Sequence, residues 1–94
     1  MLERELEKRL VEGVKKLGGK AYKFVSPGNT GVPDRMIIMP GGHVIFVELK
    51  TDTGRLTKLQ QRQISVIKRL GCNVLVAYGL TGVIEVLEVL ENGF

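Results

Sequence analysis

Apolar residues recur at helical spacing from the start of the chain. Leu2, Leu6, Leu10, Val14 and Leu17 form one stripe, and Gly18-Gly19 closes it, so residues 2–17 are predicted as an amphipathic helix. Residues 21–25 fit a short strand. Ser26-Pro27-Gly28-Asn29-Thr30-Gly31 is rich in turn formers and is predicted as a loop. A second strand is expected over 34–39, with Met36-Ile37-Ile38-Met39 as its apolar body. Pro40-Gly41-Gly42 should turn the chain back into an antiparallel third strand over 44–50. That strand is apolar almost throughout, as expected of a central strand buried on both faces. A loop through Gly54 leads to a second helix over 57–70, ended by Gly71. Residues 73–78 give a fourth strand. Residues 80–90 fit either a short helix or a strand, because Val83-Ile84-Glu85-Val86 mixes β-branched residues into a helical spacing. The order α-β-β-β-α-β, with a final ambiguous segment, predicts an α/β domain with a mixed sheet flanked by helices.

Charged and polar residues interrupt this pattern at a few positions. Glu48 and Lys50 lie in the most apolar strand, and alternation puts both on one face. A carboxylate there is costly unless paired or bound to a metal, the alternative being that the strand has already ended in solvent. Asp34 follows Pro33 at the start of the neighbouring strand, where a residue without an N–H is tolerated. The expected hairpin brings Asp34 close to Glu48, and two adjacent carboxylates call for a cation. Oxygen ligands favour Mg²⁺ or Mn²⁺. Lys50 beside them can orient or help deprotonate a water and neutralise phosphate charge.

The helices carry polar residues inside their apolar stripes. At about 100° per residue, Glu3 and Glu7 fall in or beside the stripe of the first helix. Glu3 also suits the helix start, where an acid complements the dipole; Glu7 lies too deep for that and needs a positive partner. In the second helix Gln60 sits within the stripe of Leu56, Ile64 and Ile67. Thr57-Lys58-Leu59-Gln60 matches a capping box, so Gln60 serves either the helix start or the site.

The bulk numbers add bounds. The chain has 94 residues, room for a single domain over 1–94 with a thin core that association would help to stabilise. The net charge of +4 favours a polyanionic partner. No apolar run reaches the roughly 18 residues of a membrane span, and the charged N-terminus lacks a signal sequence, so a cytoplasmic protein with no membrane partner is expected. Cys72 is the only cysteine, which excludes an internal disulfide, and it is expected to be buried as a small hydrophobe. Lys20, Lys23, Arg35, Arg55, Lys58 and Arg62 surround the expected site in sequence and are candidate phosphate contacts, with Asn29 in the loop before Asp34. His43 is expected to be exposed. Few aromatic residues and no tryptophan argue against base-stacking platforms for single strands.

Pro33-Asp34 followed by Glu48-x-Lys50 is the signature of PD-(D/E)xK nucleases. The surrounding Gly18-Gly19, Lys23-Phe24, Ser26-Pro27-Gly28, Gly31-Val32-Pro33-Asp34-Arg35, Pro40-Gly41-Gly42, Phe46-Val47-Glu48-Leu49-Lys50, Gly54-Arg55-Leu56-Thr57 and Gln60 closely resemble the VRR-Nuc family. The likeness is to stand-alone members from phages and bacteria. It implies a restriction-endonuclease-like αβββαβ core and metal-dependent phosphodiester hydrolysis. Asp34, Glu48 and the Leu49 backbone carbonyl would hold the metal, and Lys50 would be the catalytic lysine. Glu7 or Glu3 would supply the first-helix glutamate, and Gln60 the helix-two glutamine. Related nucleases often carry a tyrosine where this chain has Ile64. Stand-alone members resemble Holliday junction resolvases, which implies a homodimer acting on branched DNA. The apolar segment 83–87 with Val89 and Leu90 exceeds what so small a core should need and is the expected interface. The competing expectations are a non-catalytic DNA-binding or assembly protein on the same fold, and a small basic α/β module unrelated to nucleic acid.

Overall fold

A computed structural model describes residues 1–93. The elements run α1 (Glu3–Lys16), β1 (Lys20–Lys23), β2 (Arg35–Met39), β3 (His43–Lys50), α2 (Lys58–Arg69), β4 (Asn73–Tyr78) and α3 (Gly79–Asn92). The strands form one mixed sheet in the order β1-β2-β3-β4. The first three are antiparallel neighbours, and β4 joins β3 in parallel through the α2 crossover. This is a restriction-endonuclease-like α/β fold.

β3 lies between β2 and β4, so both of its edges are paired, which explains its nearly continuous apolar sequence. Its Ile45, Val47 and Leu49 point to one face and meet Leu6, Leu10 and Val14 of α1 and Val83, Val86 and Leu90 of α3. All of these side chains are buried. The other face is covered by α2, with Ile64 and Val74 buried there. Alternation along β3 places Phe46, Glu48 and Lys50 on this second, thinner side. Phe46 packs against Phe24, with ring centroids 5.2 Å apart.

Three expectations need correction. Residues 80–90 form a helix, and Val83, Val86 and Leu90 are core residues packed within the chain, so the segment holds no large apolar surplus. Only Ile84 and Val89 remain as exposed large apolar side chains of this segment. Cys72 is exposed, because it sits in the turn between α2 and β4, where its N–H closes the helix end on the Ile67 carbonyl. The first strand is also shifted: it begins at Lys20 and ends at Lys23, leaving Val25 exposed.

Candidate active site

β2 and β3 pair down to Arg35 opposite Val47. One step further on, Asp34 faces Glu48 across the end of the ladder. Pro33, fully buried before it, has no N–H to contribute. The Asp34 carboxylate continues the ladder instead: its Oδ2 accepts from the Leu49 N–H at 2.8 Å. The Asp34 carbonyl accepts from the Phe24 N–H at 2.9 Å, which ties the same residue to β1.

Glu48 is 1% exposed, and it is the one buried charged residue among the described residues. Its Oε2 accepts from Gln60 Nε2 at 3.2 Å and lies 3.7 Å from Lys50 Nζ. Its Oε1 is buried with no hydrogen-bond partner. Burial, then the charge of Asp34, push the Glu48 carboxyl up from 4.5 to about 7, while Lys50 pulls it down. A buried carboxylate beside a second one carries an electrostatic cost that neither Lys50 nor Gln60 fully offsets.

Gln60 caps its helix and also reaches Glu48. Thr57 Oγ1 accepts from the Gln60 N–H at 3.1 Å, and Gln60 Oε1 accepts from the Thr57 N–H at 2.9 Å, completing the capping box. The amide nitrogen of the same side chain is left to donate to Glu48. Gly31 holds the preceding loop against this turn. It has φ +96°, and a Cβ there would overlap the Leu59 carbonyl group and the Gln60 nitrogen.

The first-helix glutamates separate. Glu7 turns toward the sheet and its Oε2 meets Arg35 Nε at 3.3 Å. Glu3 is exposed, yet its charge contributes to raising Glu48. Glu5, not Glu3, caps the helix start, accepting from the Leu2 N–H at 2.9 Å. Lys23, Arg55, Lys58 and Arg62 are exposed. Exposed Lys20 lies 4.8 Å from the centre of the Tyr22 ring. Exposed Asn29 bonds back to Ser26 Oγ at 2.9 Å. Arg35 is largely shielded and its guanidinium is engaged by α1 and by the Ala21 carbonyl. Its partnership with Glu7 escaped the sequence reading. Alternation with Ile37 and Met39 was the available signal, because it puts Arg35 on the face that α1 covers.

Sheet order, crossover and the Asp34/Glu48/Lys50 cluster define a nuclease fold of the PD-(D/E)xK type. The VRR-NUC domain model matches residues 2–80, and the chain belongs to that family. It is 49% identical over 74 residues to a curated protein of Acyrthosiphon pisum secondary endosymbiont phage 1 named "Putative nuclease p44", covering 79% of this chain and 80% of that one. A solved structure titled "VRR_NUC domain" superposes with a TM-score of 0.86 at 30% identity, covering 93% of this chain and 95% of the other. A second, titled "VRR_NUC domain protein", has a TM-score of 0.73 at 22% identity over 98% and 89% of the two chains, and shares the fold. At the level of family and fold the chain is a nuclease.

Proposed function

We propose that this chain is a Mg²⁺- or Mn²⁺-dependent DNA endonuclease that acts in the cytoplasm, as a homodimer, on branched duplexes. The observation that carries the proposal is Glu48: a buried carboxylate beside a second one, with one oxygen left without a partner. Asp34 and Glu48 would hold the ion, with the Leu49 carbonyl as a third oxygen. Among the described residues no group of three or more His, Cys, Asp or Glu side chains is gathered for a metal. A carboxylate pair is nonetheless a suitable protein share for Mg²⁺, which commonly takes its remaining ligands from water and substrate phosphate. When bound, the ion would acidify the attacking water and offset charge on the phosphate.

The chain's own residues supply the rest. Lys50, half-buried beside Glu48, would orient the attacking water and present its side-chain amine to the phosphate. Gln60 fixes the Glu48 carboxylate by donating a hydrogen bond from its Nε2 to Oε2. Lys20, Lys23, Asn29, Arg55, Lys58 and Arg62 provide exposed donors for the DNA backbone. No helix among the described residues is long and apolar enough to cross a membrane. Support for a dimer comes from β4, a terminal strand without a charged residue, and from exposed Ile84 and Val89 on α3.

The deciding experiment places a four-way junction, a flap and a linear duplex side by side in Mg²⁺ or Mn²⁺. The junction should be cut fastest, and Lys50→Ala and Asp34→Ala should each abolish cleavage. Full activity in both variants would exclude the assignment. Equal rates on all three substrates would remove the branch preference.

A further inference from the structure

Arg35 and Asp34 are adjacent, so their side chains leave β2 on opposite faces. Asp34 faces the cluster with Glu48, whereas Arg35 faces α1. Its Nε lies 3.3 Å from Glu7 Oε2, and its Nη1 donates to the Ala21 carbonyl at 3.2 Å. One guanidinium thus joins α1, β1 and β2 immediately beside Asp34. Both side chains of the pair are largely shielded, at 16% and 31% exposure.

The location matters because the ladder ends there. Arg35 opposite Val47 is the last β2–β3 pair. Beyond it Asp34 is held by its own carboxylate on the Leu49 N–H and by its carbonyl on Phe24. Its preceding residue is a proline at the end of a loop. Strand ends fray unless anchored. The next residue's guanidinium is the side-chain anchor that links this end to two other elements.

We propose that the Arg35–Glu7 pair is a positioning clamp that holds the Asp34 carboxylate in place, and that neither residue contacts DNA. The clamp's catalytic consequence rests on the nuclease reading above; its structural part does not. The two partners make the idea sharply testable. An arginine touching phosphate and a glutamate restraining it would have opposite effects when removed. A clamp is lost equally from either side.

The test compares Glu7→Gln and Arg35→Lys with the unsubstituted chain. The Leu49 amide reports directly on Asp34, so its hydrogen exchange in metal-free protein is the first readout. Both substitutions should accelerate it by about tenfold or more while leaving Ile37 and Ile45 protected. Mn²⁺ binding, followed by the electron paramagnetic resonance of the free ion, should weaken in both. On junction DNA, kcat should fall by about tenfold to a hundredfold with KM unchanged. Unaltered Leu49 exchange would overturn the clamp, as would acceleration spread equally over Ile37 and Ile45. Weaker DNA binding by Arg35→Lys with tighter binding by Glu7→Gln would overturn it too, and would assign Arg35 to the DNA surface. If the unsubstituted chain cuts no DNA, the nuclease reading fails while Leu49 exchange still decides the clamp.

Discussion

Glu48 keeps its proton to a higher pH in the folded chain than in the unfolded one, from 4.5 to about 7. Burial is the larger cause and Asp34 the second. A raised acid favours the folded state while protonated. The metal-free protein should therefore lose stability as pH climbs from about 4.5 to about 7 and lose no more above that, the whole effect being about 3 kcal/mol. Glu48→Gln removes the ionisation and keeps an oxygen for Gln60. Its metal-free form should be more stable than the parent by on the order of 2 kcal/mol at pH 8, and gain nothing at pH 4.5. Thermal unfolding at both values measures this; equal shifts would show that the burden is not ionisation. The suspect residues were legible in the sequence because they break periodicity: Glu48 in an apolar strand, Glu7 and Gln60 in apolar stripes. Their partners were less so, since Arg35 looked like one more surface cation until strand and helix were brought together.

Most elements could be read from their punctuation. Gly18-Gly19, Pro40-Gly41-Gly42 and Gly71 divide the chain where the structure divides it. The last segment could not be settled that way, because Val83, Ile84, Val86 and Val89 suit a strand as well as a helix. Tertiary packing decides it: Val83, Val86 and Leu90 meet the sheet at helical spacing. The misjudged burial of Cys72 has a similar origin, since residue type alone does not reveal a solvent-facing turn. At this scale the loop before Asp34 carries a clear expectation. Gly31→Ala must accept both a left-handed φ and an overlap with the Leu59–Gln60 backbone. It should cost about 2 kcal/mol or more in urea unfolding. It should also displace the Gln60 amide resonances before those of α3. An unperturbed Gln60 would mean that the loop yields rather than the helix.

Across the whole molecule the two sheet edges differ. β1 is short and carries Lys20 and Lys23, which discourage strand addition, whereas β4 reads Asn73-Val74-Leu75-Val76-Ala77-Tyr78 with no charge. The proposed dimer should therefore use the β4–α3 side. Sedimentation should give a dimer at micromolar concentration, and Val89→Glu a monomer with unchanged helix content. A monomeric parent chain would remove this part of the proposal. If the proposed substrate is DNA, binding by a chain of net charge +4 should depend strongly on salt. Removing Lys58 or Arg62 should weaken binding alike on all sequences, and reduce the slope against salt by about one per residue. The sequence offered candidates for both the dimer side and the DNA face, but not their arrangement. Both depend on which charges end up at which edge.

Gln60 has consequences beyond its two hydrogen bonds. Its oxygen is committed to the start of α2 and its nitrogen to Glu48, so the amide has a single satisfactory orientation. Turning it over would set oxygen against carboxylate and N–H against N–H. The side chain is thus a mechanical linkage between the first turn of α2 and the position of the buried carboxyl. A phosphate that tugged on Lys58 or Arg62 would draw the linkage with it and withdraw a donor from Glu48. Backbone engagement at the rim would in this way be transmitted to the carboxylate at the centre.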